Sequence, residues 1–189
     1  MNFLIYSNIA LWILLILVII SLIMVFRQFG EVYLKSSDSI SRDGLAIGEK
    51  TPELNIPLVN GNGKFNNAMF QYNPTLLTFV SPNCGACKNM VPELKDAIYQ
   101  YKDRFNFILI TIGKKEENQQ LIQNFDISDV LYVDEDMKVF QDFRVRVTPF
   151  AFMVNEDGVV IEKGLNNGMD HIRNFIDIVE KKPFQVINN

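Results

Sequence analysis

The 189-residue chain contains only two cysteines, Cys84 and Cys87, and they stand three positions apart. The continuous apolar run at residues 75–80 predicts a strand buried on both faces, and apolar residues at helical spacing follow from Cys84 onward. The free N–H groups and the dipole of a helix N-terminus stabilise a thiolate, which lowers the pKa of a thiol placed there. We therefore predict that Cys84 is the nucleophile of a thiol-disulfide exchange and that Cys87 resolves the mixed disulfide.

Two other interpretations of the cysteine pair are open on these residues alone. The spacing is also compatible with two structural thiols, or with a soft-metal site for Cu(I) or zinc. A metal site needs further ligands. The only histidine, His171, falls on a predicted helix near the carboxyl end, where a surface or capping role is expected. The exchange interpretation predicts no bound cofactor and no resident metal.

The composition excludes several classes of protein. With 48% hydrophobic and 21% charged residues the chain can build a packed core, which excludes a disordered or collagen-like chain. A net charge of −4 and a pI near 5.1 argue against a nucleic-acid partner, because the chain lacks a basic stripe for phosphates. Two cysteines are too few for a disulfide scaffold or a four-cysteine zinc site.

The first 26 residues are almost wholly apolar, and every charged side chain lies at or after Arg27. A helix over residues 3–26 would be about 36 Å long, which suffices for a hydrocarbon core of about 30 Å. A cleaved signal sequence would have a shorter apolar region behind basic residues and a small-residue cleavage site, and the chain shows neither. We predict a transmembrane anchor over residues 1–26, with residues 3–26 in contact with the membrane, and a polar tether over residues 27–47.

The orientation of this anchor rests on two conflicting observations. Arg27, Lys35 and Arg42 follow the apolar segment, so the charge rule mildly favours a cytoplasmic domain. Disulfides, however, persist mainly in oxidising compartments outside the cytoplasm. We predict a single-pass cell-membrane protein whose domain is extracytoplasmic.

Residues 48–189 are predicted to form one α/β domain. Extended segments on both sides of the Asn60-Gly61-Asn62-Gly63 turn predict an N-terminal β-hairpin extension. Strand, helix and strand then alternate before a second hairpin and a closing helix, which predicts a mixed sheet with helices on both faces. The predicted strands are residues 54–59, a return strand that starts at residues 64–65, and residues 75–80, 105–112, 130–133, 150–154 and 159–163. The predicted helices are residues 84–101, 116–125, 137–143 and 170–179.

The order of motifs in this domain resembles the thioredoxin superfamily. The resemblance rests on the strand before the cysteines, on Cys84-Gly85-Ala86-Cys87-Lys88, on Pro92 within the helix, and on Val147-Thr148-Pro149-Phe150 some 60 residues later. It implies a thioredoxin-like fold in which Pro149 follows a cis peptide bond and presents backbone to an incoming polypeptide. It also implies the catalytic pair Cys84 and Cys87 and a substrate-binding surface formed by Asn83, Gly85, Ala86, Thr148 and Pro149.

The anchor and the hairpin extension narrow this resemblance to bacterial membrane-tethered thiol-disulfide oxidoreductases of the TlpA/ResA group. The thioredoxin-like accessory proteins of methylamine utilisation (MauD-like) are more similar still, on Arg27-Gln28-Phe29-Gly30, residues 44–52 and Ser81-Pro82-Asn83-Cys84. The resemblance implies exchange with the thiols or disulfides of exported client proteins and a redox partner in the membrane.

The sequence departs from the superfamily at positions that bear on the direction of electron flow. Asn83 and Ala86 replace the Trp and the Pro of thioredoxin itself. Thr78 stands where thioredoxin has a buried Asp, and Met90 where cytochrome-maturation reductants have a Glu. Thr148 resembles the residue that disulfide isomerases and some oxidases have before the proline. We predict formation or shuffling of client disulfides; the alternatives are a reductant in extracytoplasmic protein or cytochrome maturation and a non-catalytic Cu(I) chaperone.

A peroxidase of the peroxiredoxin kind shares the fold and is a further alternative. Ser81 fits loosely where such an enzyme has a Thr or Ser before its cysteine. The proline that it would need seven residues before the cysteine is absent, because Leu77 stands there.

Overall fold

The computed structural model describes the backbone of residues 2–41 and 43–181, and the side chains of residues 5–27 and 43–181. Within these limits the chain divides into two compact units, Met1–Arg42 and Asp43–Asn189.

The first unit is a single α-helix, α1 (Asn2–Ser41). Its segment Ile5–Arg27 has the length and the apolar composition that can cross a membrane, and side chains along it such as Trp12 are exposed. The helix continues through residues 28–41, where the sequence predicts a tether. That stretch contains no proline and a single glycine, so little in it interrupts a helical backbone.

The second unit begins at Asp43, five residues before the domain boundary predicted at residue 48. Asp43 is 6% exposed and Leu45 is 2% exposed, so the end of the predicted 27–47 tether is part of the folded unit. A single buried leucine among small polar residues produces no periodic pattern, which is why the sequence does not reveal it.

A short antiparallel hairpin precedes the main sheet and forms a separate two-stranded sheet of β1 (Asn55–Pro57) and β2 (Lys64–Asn66). Phe65 attaches it to the rest of the unit, because its ring is fully buried and packs edge-on against Phe70 and Tyr132. The predicted N-terminal hairpin extension is confirmed.

The main sheet has five strands, and the central one is buried along its whole length. The strands are β3 (Thr75–Val80), β4 (Asn106–Ile112), β5 (Leu131–Asp134), β6 (Phe150–Val154) and β7 (Val160–Leu165). Their order is β5-β4-β3-β6-β7, with β3 parallel to β4 and antiparallel to β6. Strand β3 is therefore covered on both faces, as its continuous apolar run predicts.

Helices cover both faces of this sheet. They are α2 (Gly85–Tyr101), α3 (Gln119–Phe125), α4 (Lys138–Asp142) and α5 (Met169–Lys181). On one face Leu76 and Val80 share a core with residues of α2 and α5. On the other face Phe79 packs edge-on against Phe140 of α4, with ring centroids 4.9 Å apart. The predicted mixed sheet with flanking helices is confirmed.

A buried polar pair interrupts the core on the α2 side of the sheet. Thr78 alternates with Leu76 and Val80 along β3, so it points to the same face as they do. It is fully buried, as is Asn166, whose Nδ2 donates to Thr78 Oγ1 at 3.3 Å. Asn166 Oδ1 has no partner among the described residues. Because an unpaired buried polar atom costs free energy, the amide depends on Thr78 for the bond that it does make.

Thr78→Val should lower the free energy of unfolding by about 1–3 kcal/mol, because it leaves the side-chain amide of Asn166 wholly unpaired. Adding Asn166→Leu should recover most of this loss, since both polar groups are then removed together. Urea unfolding of the full chain in detergent, followed by circular dichroism, measures both values. A double variant that is no more stable than Thr78→Val would contradict this account of the pair.

Candidate active site

The two cysteines lie where the chain passes from the central strand into a helix. The chain leaves β3 at Val80 and enters α2 at Gly85, and Cys84 occupies the N-cap position. Its amide donates to the Ser81 carbonyl at 3.1 Å and closes the connecting turn. The Cys87 amide donates to Cys84 Sγ at 3.1 Å, so the sulfur takes the place of a capping side-chain oxygen.

The two cysteines differ in their exposure to solvent. Cys84 and Cys87 are joined by a disulfide bond. Cys84 is partly exposed, whereas Cys87 is 0% exposed and packs in the core with Met90. An incoming thiolate therefore has access to Cys84 and not to Cys87. This asymmetry is what exchange through a single attacked sulfur requires.

A second segment reaches the cysteines from the antiparallel side of the sheet. Phe150 in β6 pairs with Phe79 in β3, which brings the residues before β6 next to the end of β3. The Thr148 carbonyl oxygen lies 3.5 Å from Cys84 Sγ, although the two residues are 64 positions apart. The peptide bond between Thr148 and Pro149 is cis, as the resemblance implies.

The surface beside the exposed sulfur is open. Asn83, Gly85 and Ala86 are exposed, and a Cβ atom added at Gly85 would meet nothing within 4 Å. Of the other two predicted substrate-binding residues, Thr148 is partly exposed and Pro149 is buried. Four of the five predicted substrate-binding residues are therefore accessible to solvent, and Pro149 is not.

Opposing electrostatic effects act on Cys84. The Cys87 N–H and the start of the 17-residue helix α2 stabilise negative charge on the sulfur. The Thr148 carbonyl oxygen carries partial negative charge and opposes it from 3.5 Å. The Cys87 amide lies closer to the sulfur than the Thr148 carbonyl does, at 3.1 Å against 3.5 Å. The dipole of α2 also stabilises negative charge on the sulfur. We therefore expect the thiolate of Cys84 to be favoured once the disulfide is reduced.

The buried sulfur has no carboxylate at the two positions where related reductants have one. Thr78 and Met90 occupy those positions, and both are 0% exposed.

Within residues 5–27 and 43–181, no group of three or more His, Cys, Asp or Glu side chains is placed to hold a metal ion.

One set of contacts near the site is not visible in the sequence. The Arg146 amide donates to the Asp43 carboxylate at 3.1 Å, and the Gly44 amide donates to the Arg144 carbonyl at 3.1 Å. These contacts hold the residues just before Thr148. The only available signal was the Asp43-Gly44 dipeptide, which is typical of turns and does not mark a functional site.

Comparison with known proteins supports the same chemistry. The model of the Redoxin family matches residues 46–178. The methylamine utilization protein MauD of Paracoccus versutus is 29% identical over 94% of this chain and 89% of its own length. MauD of Methylorubrum extorquens is 28% identical over 94% of this chain and 87% of its own length.

Solved structures show the same fold. The crystal structure of a putative thiol:disulfide interchange protein DsbE from Chlorobium tepidum matches with a TM-score of 0.64 at 16% identity. The match covers 72% of this chain and 97% of the other chain. The predicted thioredoxin-like fold is confirmed.

In the reduced protein the thiol of Cys84 should titrate well below the ordinary value of about 8.5, because it caps a helix N-terminus. A Cys87→Ala variant leaves Cys84 as the only thiol, so its rate of alkylation by iodoacetamide between pH 4 and 9 reports this pKa alone. We expect a midpoint at least about one pH unit below that of glutathione measured in parallel. A midpoint equal to that of glutathione would contradict the electrostatic argument.

Proposed function

The chain belongs to the Redoxin family and is a thiol-disulfide oxidoreductase, and from this premise we propose that Cys84 and Cys87 exchange disulfides with exported client proteins. One observation carries the proposal. At the start of α2 a partly exposed cysteine is bonded to a fully buried one. The similarity to MauD proteins over most of the chain supports the accessory role that the sequence resemblance implies.

Formation of a client disulfide takes two exchanges. A client thiolate attacks Cys84 Sγ, the bond to Cys87 breaks, and its electron pair leaves on the Cys87 sulfur. A second client thiolate then attacks the client sulfur of the mixed disulfide and releases Cys84 as a thiolate. The client has lost two electrons and the cysteine pair has gained them. A redox partner in the membrane then takes up these electrons and restores the disulfide.

Shuffling of client disulfides uses the same mixed disulfide without net electron transfer. Reduced Cys84 attacks a client disulfide and releases one client sulfur as a thiolate. Another client thiolate attacks the mixed disulfide, forms a new client disulfide and releases Cys84. When no client thiolate attacks, Cys87 resolves the mixed disulfide instead, and the client is reduced.

We infer that the client docks along the backbone at Thr148 and Pro149. The Thr148 carbonyl lies 3.5 Å from Cys84 Sγ, and the neighbouring Val147 is 39% exposed. An extended client segment antiparallel to this backbone would bring its own sulfur to Cys84. Exposed Gly85 leaves room on the opposite side, since a Cβ atom there would meet nothing within 4 Å.

Two features favour formation or shuffling of disulfides over reduction. A stabilised Cys84 thiolate is a good leaving group, which makes the disulfide more oxidising. Thr78 and Met90 also stand at the two positions where related reductants have a carboxylate, so the chain lacks the groups that those reductants use.

Cys87→Ala should trap clients on Cys84, because the resolving sulfur is gone while the attacked sulfur remains. We expect disulfide-linked adducts that disappear on reduction, seen by non-reducing electrophoresis of cells producing the full chain. Cys84→Ala is the matched control, and it should trap far fewer clients because its remaining sulfur is buried. Absence of adducts with Cys87→Ala would remove the main support for exchange.

The redox state of the wild-type cysteine pair in cells reports the direction of exchange. Acid quenching followed by alkylation of the wild-type chain shows the redox state of the pair. A pair that is mostly oxidised at steady state supports formation of client disulfides, whereas a mostly reduced pair supports shuffling or the reductant alternative.

We propose that α1 anchors the protein in the cell membrane as a single span and that the domain faces outward, where disulfides persist. A membrane-impermeant maleimide should then label Cys84 of the Cys87→Ala variant in cells whose inner membrane is intact. Labelling that appears only after this membrane is permeabilised would place the domain in the cytoplasm, as the charge of Arg27, Lys35 and Arg42 mildly favours.

A further inference from the structure

We propose that residues 43–49 act as an N-terminal clamp that positions the client-docking backbone, with Asp43 as its principal positioning residue. The segment that they hold is the approach loop, residues 144–147, which leads directly into Thr148. This inference rests on the proposed function, because it requires clients to dock at Thr148 and Pro149.

Asp43 is bonded through both its side chain and its backbone. Its carboxylate accepts the Arg146 amide at 3.1 Å, and its carbonyl accepts Lys163 Nζ from β7 at 2.7 Å. The carboxylate is almost fully buried, at 6% exposure, so water competes little for the bond with Arg146. Asp43 therefore connects the approach loop to the edge strand of the main sheet.

Gly44 brings the clamp backbone close to the sheet. Its amide donates to the Arg144 carbonyl at 3.1 Å. Its φ of +73° lies in the left-handed region that favours glycine, and a Cβ atom there would stand 2.5 Å from Cζ of Phe152. The position requires glycine for both reasons, and a larger residue would push the clamp away from the approach loop.

Glu49 closes the other end of the clamp. Its carboxylate forms a two-bond pair with the Arg144 guanidinium, at 2.7 and 3.3 Å. The Ala46 amide, which donates to Glu49 at 2.9 Å, lowers the pKa of this carboxyl, and Arg144 lowers it further. The pair lies at the surface, so it contributes orientation more than stability.

The approach loop needs this support because its first residue is held in an unfavourable conformation. Arg144 has a φ of +56°, in the left-handed region that side chains other than glycine rarely adopt. The clamp bonds its carbonyl through Gly44 and its side chain through Glu49. Without the clamp, relaxation at Arg144 would shift the residues that follow it, including the Thr148 carbonyl beside Cys84.

The clamp should therefore affect large substrates selectively. No hydrogen bond or ion pair among the described residues joins residues 43–49 to Cys84 or Cys87, so the clamp acts on the sulfurs only through the approach loop and the Thr148 carbonyl. A polypeptide must align with the backbone at Thr148, whereas a small dithiol needs access only to Cys84.

The test compares two reductants of the oxidised full chain in detergent: reduced, unfolded ribonuclease A and dithiothreitol. Asp43→Ala should lower the second-order rate constant with ribonuclease A by about 3- to 10-fold, the range expected for one lost hydrogen bond. The rate constant with dithiothreitol should fall much less, because a small dithiol does not have to align with the backbone at Thr148. Asp43→Asn keeps an acceptor oxygen for the Arg146 amide and should restore the rate with ribonuclease A.

Two further variants separate positioning from a general loss of structure. Lys163→Met removes the bond to the Asp43 carbonyl and keeps the aliphatic stem, so it should slow ribonuclease A selectively even if Asp43→Ala fails to fold. Asp126→Ala removes an exposed carboxylate that pairs with Lys95, and it should change neither rate. An equal loss with both reductants, or an unchanged rate with ribonuclease A, would overturn the clamp.

Thr148→Arg distinguishes failure of the clamp from failure of the docking proposal. A long cationic side chain on the docking backbone should slow ribonuclease A. If it does so while folded Asp43→Ala and Lys163→Met do not, clients dock at Thr148 and the clamp does not position them. If Thr148→Arg leaves the rate unchanged, docking at Thr148 itself is wrong.

Discussion

The amide groups in the first turn of α2 have no hydrogen-bond acceptor within the helix. The arrangement of the site depends on the acceptor that one of these amides finds outside it. The Cys87 amide is bonded to Cys84 Sγ rather than to a hydroxyl or carboxylate oxygen. A sulfur anion accepts such a bond more strongly than a disulfide sulfur does. Breaking the disulfide therefore strengthens the cap of the helix, which stabilises the reduced form of the cysteine pair.

The remainder of the domain keeps this cap at the surface and its partner sulfur inside. Strand β3 is buried on both faces, which fixes the point where the chain emerges toward Cys84. The pairing of Phe79 with Phe150 then brings the segment before β6 to the same edge of the sheet. Two distant parts of the chain thus meet beside one sulfur because a single pair of strands is in register.

Periodicity explains which parts of the structure were predictable. The buried strand at residues 75–80 and the helix after Cys84 have clear patterns, and Cys84 lies at their junction as expected. The cis bond before Pro149 followed only from family resemblance, because most X–Pro bonds are trans. The contacts of Asp43 with Arg146 were hidden because they join a side chain to a backbone amide 103 positions away.

The start of the folded unit at Asp43 determines where the chain can be cut to separate the domain from its hydrophobic helix. A fragment cut at Gly48 would follow the apparent boundary in the sequence and would discard Leu45, which is 2% exposed. It would also uncover the ring of Phe152 that Gly44 lies against. A fragment that keeps the folded unit whole therefore has to begin no later than Asp43, although the residues that it gains resemble a linker in sequence.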